Sequence, residues 1–345
     1  MVRTENSGVI APPALDRYRA AVDAELRHVL AQWESPLSLM MRYHLGWVNE
    51  DGSPRSGSGG KGLRSTLCLL SCEALGGSSE RALPAAAAVE LVHNFSLVHD
   101  DIQDDDRLRR HRPTVWSIWG KPQAINAGTA MRILAGLALS RLGERAVSVD
   151  RQLQVRHLVD ESSLQLIEGQ YLDISYERRL DVGVEDYTEM IRKKTGMLTA
   201  CAAEVGAVLA SDDPSAHRRF HDFGMNLGVA FQIRDDILGI WGEEECTGKP
   251  MGSDIRRRKK TLPLVYALQR AQGEARERLA RIYRSDTLEE DAVSSVLQTL
   301  ESIGARAQAQ QLAEEFRDRA LEGLAAVRVS ALDRRELEHL AHFLV

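Results

Sequence analysis

The sequence predicts an all-α protein. Apolar residues recur three and four apart over residues 15–33, 149–179, 287–304 and 307–325, the period of a helix with one buried face. No run alternates apolar and polar residues as a half-buried strand does, and β-branched residues are scattered rather than clustered. Connections are short and carry breakers, as at Ser211-Asp212-Asp213-Pro214 and at Gly183.

Composition narrows the class further. With 345 residues, 43% hydrophobic and 27% charged, the chain has enough apolar material for a large core and does not read as disordered. No Pro/Gly/Ser-rich linker divides its middle, so one helical domain is expected over residues 14–345, behind a flexible segment at 1–13. No fixed-period repeat suggests a solenoid. A net charge of −6 argues against a nucleic-acid partner, so any anion site must be built locally. No stretch of about eighteen apolar residues is present to span a bilayer. The N-terminal MVRTENSGVIAPP lacks a basic-then-apolar signal pattern, which makes a cytoplasmic protein the expectation. Cys68 and Cys72 are four apart and read as core; with Cys201 and Cys246 they show neither zinc spacing nor a disulfide framework.

Along the chain, a loop from Asn49 to Gly60 feeds directly into Lys61. The most informative helix is expected to start near Pro84, a residue favoured in the first turn. It carries apolar residues on nearly every face, through Val89, Leu91, Val92, Phe95 and Val98, so it belongs in the middle of a bundle. Yet it ends in His99-Asp100-Asp101-Ile102-Gln103-Asp104-Asp105-Asp106. Asp100, Asp101 and Asp104 share a helix face, where like charges repel and where the helix C-terminus adds further negative potential. A hard divalent cation relieves both problems, and magnesium accepts one or two carboxylates while leaving room for substrate phosphates. A solvated acidic helix end is the bland alternative. Against it, Arg107, Arg109, Arg110 and Arg112 follow at once, and arginine forks match phosphate oxygens.

A second cluster repeats this logic. Phe231-Gln232-Ile233-Arg234-Asp235-Asp236 follows Gly224 and Gly228, whose spacing permits close helix contact. Lys249, Asp254 and the basic run Arg256 to Lys260 come next. Acids for metal beside bases for phosphate, met twice, point to a magnesium–diphosphate site. His217 and His221 are four apart, but Arg218 stands where a zinc protease needs its glutamate.

In order, these motifs resemble those of trans-isoprenyl diphosphate synthases of the polyprenyl synthetase family. The resemblance runs from about Tyr43 to Leu264. It rests on Gly59-Gly60-Lys61-Gly62-Leu63-Arg64, His93, Asp100-Asp101-x-x-Asp104 with Arg109-Arg110, Gly169-Gln170-x-x-Asp173, Lys194-Thr195-Gly196, Phe231-Gln232-x-x-Asp235-Asp236, and Gly248-Lys249-x-x-Gly252-x-Asp254 with Lys259.

The resemblance implies an orthogonal helical bundle around a central cavity, a homodimer, and condensation of isopentenyl diphosphate with allylic diphosphates. Asp100, Asp104 and Asp235, backed by Asp101 and Asp236, would hold three magnesium ions, with manganese an acceptable substitute. Arg109, Lys194, Lys249 and Lys259 would contact the allylic diphosphate. Lys61, Arg64, His93 and Arg110 would bind that of isopentenyl diphosphate. Thr195 and Gln232 would face the allylic cation, with Gln170 and Asp173 near the headgroup. Phe95, five residues before Asp100, would be the floor that stops elongation; a single aromatic beside small Ser96 resembles geranylgeranyl synthases. Farnesyl or longer-chain synthases are the alternatives, as are a class I terpene cyclase and a non-catalytic partner subunit. Three departures stand out: Gly239 where a third acid is usual, Gly62 where a base is common, and Thr129 where an aspartate is common.

Overall fold

In a computed structural model, residues 12–55, 60–177, 179–243, 250–285 and 290–345 are described. The helices are α1 (Pro13–Arg17), α2 (Arg19–Ala31), α3 (Pro36–His44), α4 (Leu63–Ala74) and α5 (Ser79–Gln103), then α6 (Val115–Trp119), α7 (Lys121–Ser140) and α8 (Val149–Tyr176). There follow α9 (Val184–Ile191), a π turn (Arg192–Gly196), α10 (Met197–Ala210) and α11 (Pro214–Trp241). The chain ends with α12 (Ser253–Arg256), α13 (Leu262–Arg270), α14 (Gly273–Arg284), α15 (Glu290–Ser302), α16 (Ala305–Ala325) and α17 (Ala331–Leu344). The all-α expectation holds.

Two local expectations are corrected. α5 starts at Ser79, not at Pro84, which lies inside it. Ser79, Glu80, Arg81 and Ala82 already support a helix, and burial of its apolar faces offsets the bond and the crowding that Pro84 costs the preceding turn. Strand also occurs, though barely: β1 (Leu108–Arg109) and β2 (Arg112–Pro113) pair antiparallel. Two-residue strands are too short to leave a period in the sequence.

The centre of the molecule is α5, as its all-round apolar pattern requires. Ala85 to Ala88, Val89, Leu91 and Val92 are fully buried. α5 packs on α4, α7 and α10, while α11 packs on α10 and α16. Close crossings depend on small residues: a methyl group on Gly224 would meet Thr199 O at 2.6 Å, and one on Gly228 would meet Gly196 Cα at 2.9 Å. Cys68 and Cys72 are free and buried, as their spacing suggested, and Cys201 is too; Cys246 lies outside the described residues. This packing delivers four chain segments to one region: the ends of α5, α8 and α11, and the π turn.

Candidate active site

α5 ends where the first acidic motif begins. Asp104 caps it, donating its N–H to Asp100 O at 2.8 Å. From there the chain turns into the β1–β2 hairpin, whose two linking residues, Arg110 and His111, both have positive φ (51° and 60°). That is the turn a right-twisted two-residue hairpin demands, here made by residues without glycine's freedom. The turn sends neighbouring arginines opposite ways. Arg109 returns to the acids, its Nε donating to Asp101 Oδ1 at 2.7 Å and its fork lying 3.9 Å from Asp100 Oδ2. Arg110 turns toward Gly60, whose Cβ position is 2.9 Å from its guanidinium.

The acids are held against lysines. Lys194 Nζ lies 3.3 Å from Asp100 Oδ1 and 2.5 Å from Asp173 Oδ2 on α8. It reaches them from the π turn, a helical bulge of the kind that collects at functional sites. The bulge separates it from Lys193, which pairs with Glu168 at 2.9 Å. Gly169 makes this approach possible, because a Cβ there would sit 2.2 Å from Lys194 N. Beside it, Gln170 Nε2 donates to Gln103 Oε1 at 3.0 Å. Lys259 is the neighbour shared by both acidic clusters. It helps lower the pKa of Asp100 and opposes the rise at Asp104, and Asp254, Asp173, Asp236 and Asp235 overcome its burial to raise its own.

The electrostatics identify a site short of positive charge. Burial, then the neighbouring carboxylates, pushes Asp104 up to about 6. Burial likewise pushes Asp101 to about 6 against the pull of Arg109, and Asp101 Oδ2 is buried with no hydrogen-bond partner. For Asp100, burial opposes ionisation, but Lys194, Lys259 and Arg109 outweigh it and hold the pKa below the usual range. Among the described residues no three His, Cys, Asp or Glu side chains close around a metal by themselves. The donors are hard oxygens that leave a shell to be completed from outside the protein, which is how magnesium binds with substrate phosphates.

The second acidic pair divides its labour. Asp235 is exposed. Asp236 is 1% exposed and saturated: it accepts from Tyr187 Oη at 2.5 Å, Leu262 N at 3.0 Å and Gln232 Nε2 at 3.1 Å. Burial raises its pKa to about 7. Asp236 therefore anchors α11 to α9 and α13, and only Asp235 is open to a ligand. Gln232 also accepts from Thr195 Oγ1 at 2.9 Å, joining the π turn to α11.

A separate basic cluster faces the other side of Arg110. Arg64 Nη1 lies 3.4 Å from His93 Nε2, and Arg64 Nε is buried without a partner. Burial, then Arg64 and Arg110, keeps His93 well below its usual pKa and so neutral. Two residues not singled out from sequence complete the cluster. His44 is half-buried among arginines, with a buried, unpartnered Nε2 and its pKa lowered to about 3 by desolvation and then Arg109. Glu90 accepts from Ser65 at 3.2 Å and offsets Arg64 and Arg110. Glu90 was legible, lying three residues before His93 on α5; nothing in the sequence marks His44. Lys61 stands apart, exposed, with its ammonium 5.8 Å from the Phe343 ring centre. A cavity of about 400 Å³ adjoins it, under α2, but its lining includes none of the acids of either motif.

The basic run is not a free face. Arg256 grips Glu290 through two bonds of 2.8 Å, Arg257 pairs with Asp106 of the first motif, and Arg258 donates to Ser285 O. His217 and His221 also take separate partners, Ser211 O and Glu204. Gly59, Gly248, Lys249 and residues 1–11 of the expected flexible segment lie outside the described residues.

Phe95 and Ser96 part company on α5. Five residues at about 100° each place Phe95 roughly 140° around the helix from Asp100, whereas Ser96, one turn back, shares its side. Phe95 is 4% exposed and meets the His99 ring edge-on at 5.5 Å. His99 in turn lies against α7, its Nε2 3.2 Å from Ile125 O.

Known proteins resemble this chain in sequence and in fold. Residues 47–300 match the sequence profile of the family described as polyprenyl synthetase. A geranylgeranyl diphosphate synthase of Mycobacterium tuberculosis is 44% identical over 276 residues, which is 79% of this chain and 76% of that one. A (2E,6E)-farnesyl diphosphate synthase of Mycobacterium bovis is 37% identical over 337 residues, 96% of this chain and 92% of that one. The crystal structure of a polyprenyl synthetase from Streptomyces coelicolor A3(2) superposes with a TM-score of 0.89 at 40% identity, covering 96% of this chain and 99% of that one.

Proposed function

The chain belongs to the polyprenyl synthetase family and is a short-chain prenyltransferase; on that premise we propose that it is a magnesium-dependent geranylgeranyl diphosphate synthase. The observation that carries the metal-dependent reading is the pair of carboxyl groups, Asp101 and Asp104, driven to about 6 by burial around an unpartnered oxygen. Such a cluster is completed by cations and by a ligand that brings them. Asp100, Asp104 and Asp235 would hold the ions, with Asp101 fixing Arg109 and Asp236 fixing α11. Bound magnesium supplies neutralisation of the leaving diphosphate.

The protein groups then have distinct work. Lys194, Lys259 and Arg109 hold the allylic diphosphate as its carbon–oxygen bond breaks and the electron pair leaves on oxygen. Thr195 and Gln232, linked to one another, present oxygen dipoles to the allylic cation in a fixed direction. Arg64, Arg110 and neutral His93 hold isopentenyl diphosphate so that its double bond attacks that cation. The proton lost in forming the new double bond passes to the departed diphosphate. Burial of the site keeps water from capturing the cation as an alcohol.

Product length rests on α5. Small Ser96 lies on the Asp100 side of α5, and Phe95 would bound a growing chain from the α7 side, the single-aromatic pattern that resembles synthases stopping at twenty carbons. Incubation with magnesium, isopentenyl diphosphate and dimethylallyl, geranyl or farnesyl diphosphate, with products sized after dephosphorylation, should give that length and lose it with chelator. A fifteen-carbon end product would replace this reading with a farnesyl synthase. Phe95→Ala should lengthen the product by at least one five-carbon unit; unchanged length would remove Phe95 as the floor.

A homodimer is the assembly proposed. α8 exposes Leu164, Ile167, Tyr171 and Ile174 at alternating spacings of three and four, and α7 exposes Ile133 and Leu137. Tyr171 is 70% and Ile133 62% exposed, too much apolar surface in one stripe for a helix pair facing water. A second copy of the same stripe is its natural cover. Ile133→Glu with Leu164→Glu should halve the mass in sedimentation; an unchanged mass would place the interface elsewhere.

A further inference from the structure

A glutamine amide can be turned end for end with little change of shape, so its partners decide which end is oxygen. Gln232 has Thr195 on one side and Asp236 on the other, and a line of buried donors settles the choice. Tyr187, on α9, is 1% exposed, and its hydroxyl donates to Asp236 Oδ2 at 2.5 Å. Leu262 N, the first amide of α13, donates to the same oxygen at 3.0 Å. With Oδ2 taken twice, Asp236 presents Oδ1 to Gln232, 3.1 Å from Nε2. A carboxylate oxygen accepts and does not donate, so the amide turns its NH2 to Asp236. Its Oε1 is left on the other side, where it takes the Thr195 hydroxyl at 2.9 Å. That bond uses the one proton of Thr195 Oγ1, leaving lone pairs rather than hydrogens on both oxygens.

A flipped amide would reverse this. It would set Oε1 against the Asp236 carboxylate, acceptor against acceptor, and bring the positive end of the dipole to Thr195. Tyr187 blocks that flip from two side chains away. Its ring is buried, and its hydroxyl stops the Asp236 carboxyl group turning about the Cβ–Cγ bond. Leu262 alone would leave one donor on Oδ2 and the group free to turn, and the amide with it.

We propose that Tyr187 is a positioning residue for the condensation: acting through Asp236, it holds the Gln232 amide with its oxygen, not its NH2, toward Thr195 and the allylic cation. This rests on the roles given to Thr195 and Gln232 above. Tyr187 touches no substrate and acts only through the two side chains that separate it from Thr195.

The test is steady-state kinetics with each substrate varied, beside manganese uptake in the presence of inorganic diphosphate. Tyr187→Phe keeps the buried ring and so the fold. It should lower kcat about tenfold, the worth of one well-placed hydrogen bond, with both KM values and the manganese uptake at native levels. In a Gln232→Met background the same change should cost roughly twofold at most, because its route to the cation is gone. A merely structural tyrosine would cost the same in both backgrounds. Gln232→Glu separates orientation from charge. Charge alone predicts that a carboxylate favours the cation and raises kcat. Orientation predicts about a hundredfold loss, since an acceptor then faces Asp236 where a donor stood. An unchanged kcat in Tyr187→Phe, an equal loss in the Gln232→Met background, manganese uptake that falls with kcat, or a fully active Gln232→Glu would each overturn the proposal. If the native protein turns over no primer, the reading of the site fails and this inference with it; if it turns over and Tyr187→Phe matches it, only this inference fails.

Discussion

Asp104→Asn is expected to lower turnover by on the order of a thousandfold and, in the absence of metal, to raise the melting temperature. The two effects share one cause. Losing a ligand to the ions on the leaving group removes about 4 kcal/mol of transition-state stabilisation, at 1.36 kcal/mol per tenfold. The same carboxylate is a liability in the empty site, where burial and its acidic neighbours push it to about 6. A raised carboxyl pKa means that the folded state holds the proton more tightly than the unfolded chain. Its contribution is favourable below the unfolded value near 4 and is lost as pH rises through 6. At pH 8 the asparagine variant should therefore gain about 1–2 kcal/mol, or a few degrees, after allowance for partial screening. Near pH 4 the gain should vanish. Melting curves from pH 4 to 8 in chelator check the sign; a variant less stable than the native protein at pH 8 would mean that Asp104 is not crowded as described.

Gly169→Ala is the second large effect expected, at least a hundredfold in kcat from one methyl group placed away from the substrate. The new Cβ would meet three backbone atoms of the π turn within 2.8 Å, so α8 and the turn must separate. Lys194 and Thr195 both ride on that turn, and a displacement of about 1 Å is enough for losses of this size. The cost should appear in kcat and in the allylic KM, while the KM for isopentenyl diphosphate, bound by Arg64 and Arg110, stays near the native value. Steady-state kinetics with each substrate varied separates these; an unaffected kcat would show that the crossing is looser than its geometry indicates.

What the sequence revealed follows from the range of the interactions involved. α5 was legible because its apolar residues cover every face and its acids sit at its end, both local facts. The Arg109-Arg110 pair was legible as phosphate chemistry, but not as a hairpin turn that sends the two apart, since two-residue strands leave no period. Asp101 and Asp236 could not be told from Asp100 and Asp235 by spacing. Only packing shows that one serves Arg109 and the other is saturated by Tyr187, Leu262 and Gln232. Gly239 reads only as a missing acid in the sequence; packing alone shows that the Asp254 carboxyl group lies against it. The π turn was equally hidden, although Gly169, which it needs, stood among the motifs.

The central claim is that the two acidic clusters hold one set of ions on one diphosphate, and manganese binding read by electron paramagnetic resonance tests it most directly. With inorganic diphosphate present, the native protein should take up more than one manganese ion per site, with little uptake when diphosphate is withheld. Asp104→Asn and Asp235→Asn should each lower that number, and the double variant should bind no more than the weaker single one. If the two substitutions together leave the manganese stoichiometry and affinity at native values, the clusters are not metal sites and the account is wrong at its centre.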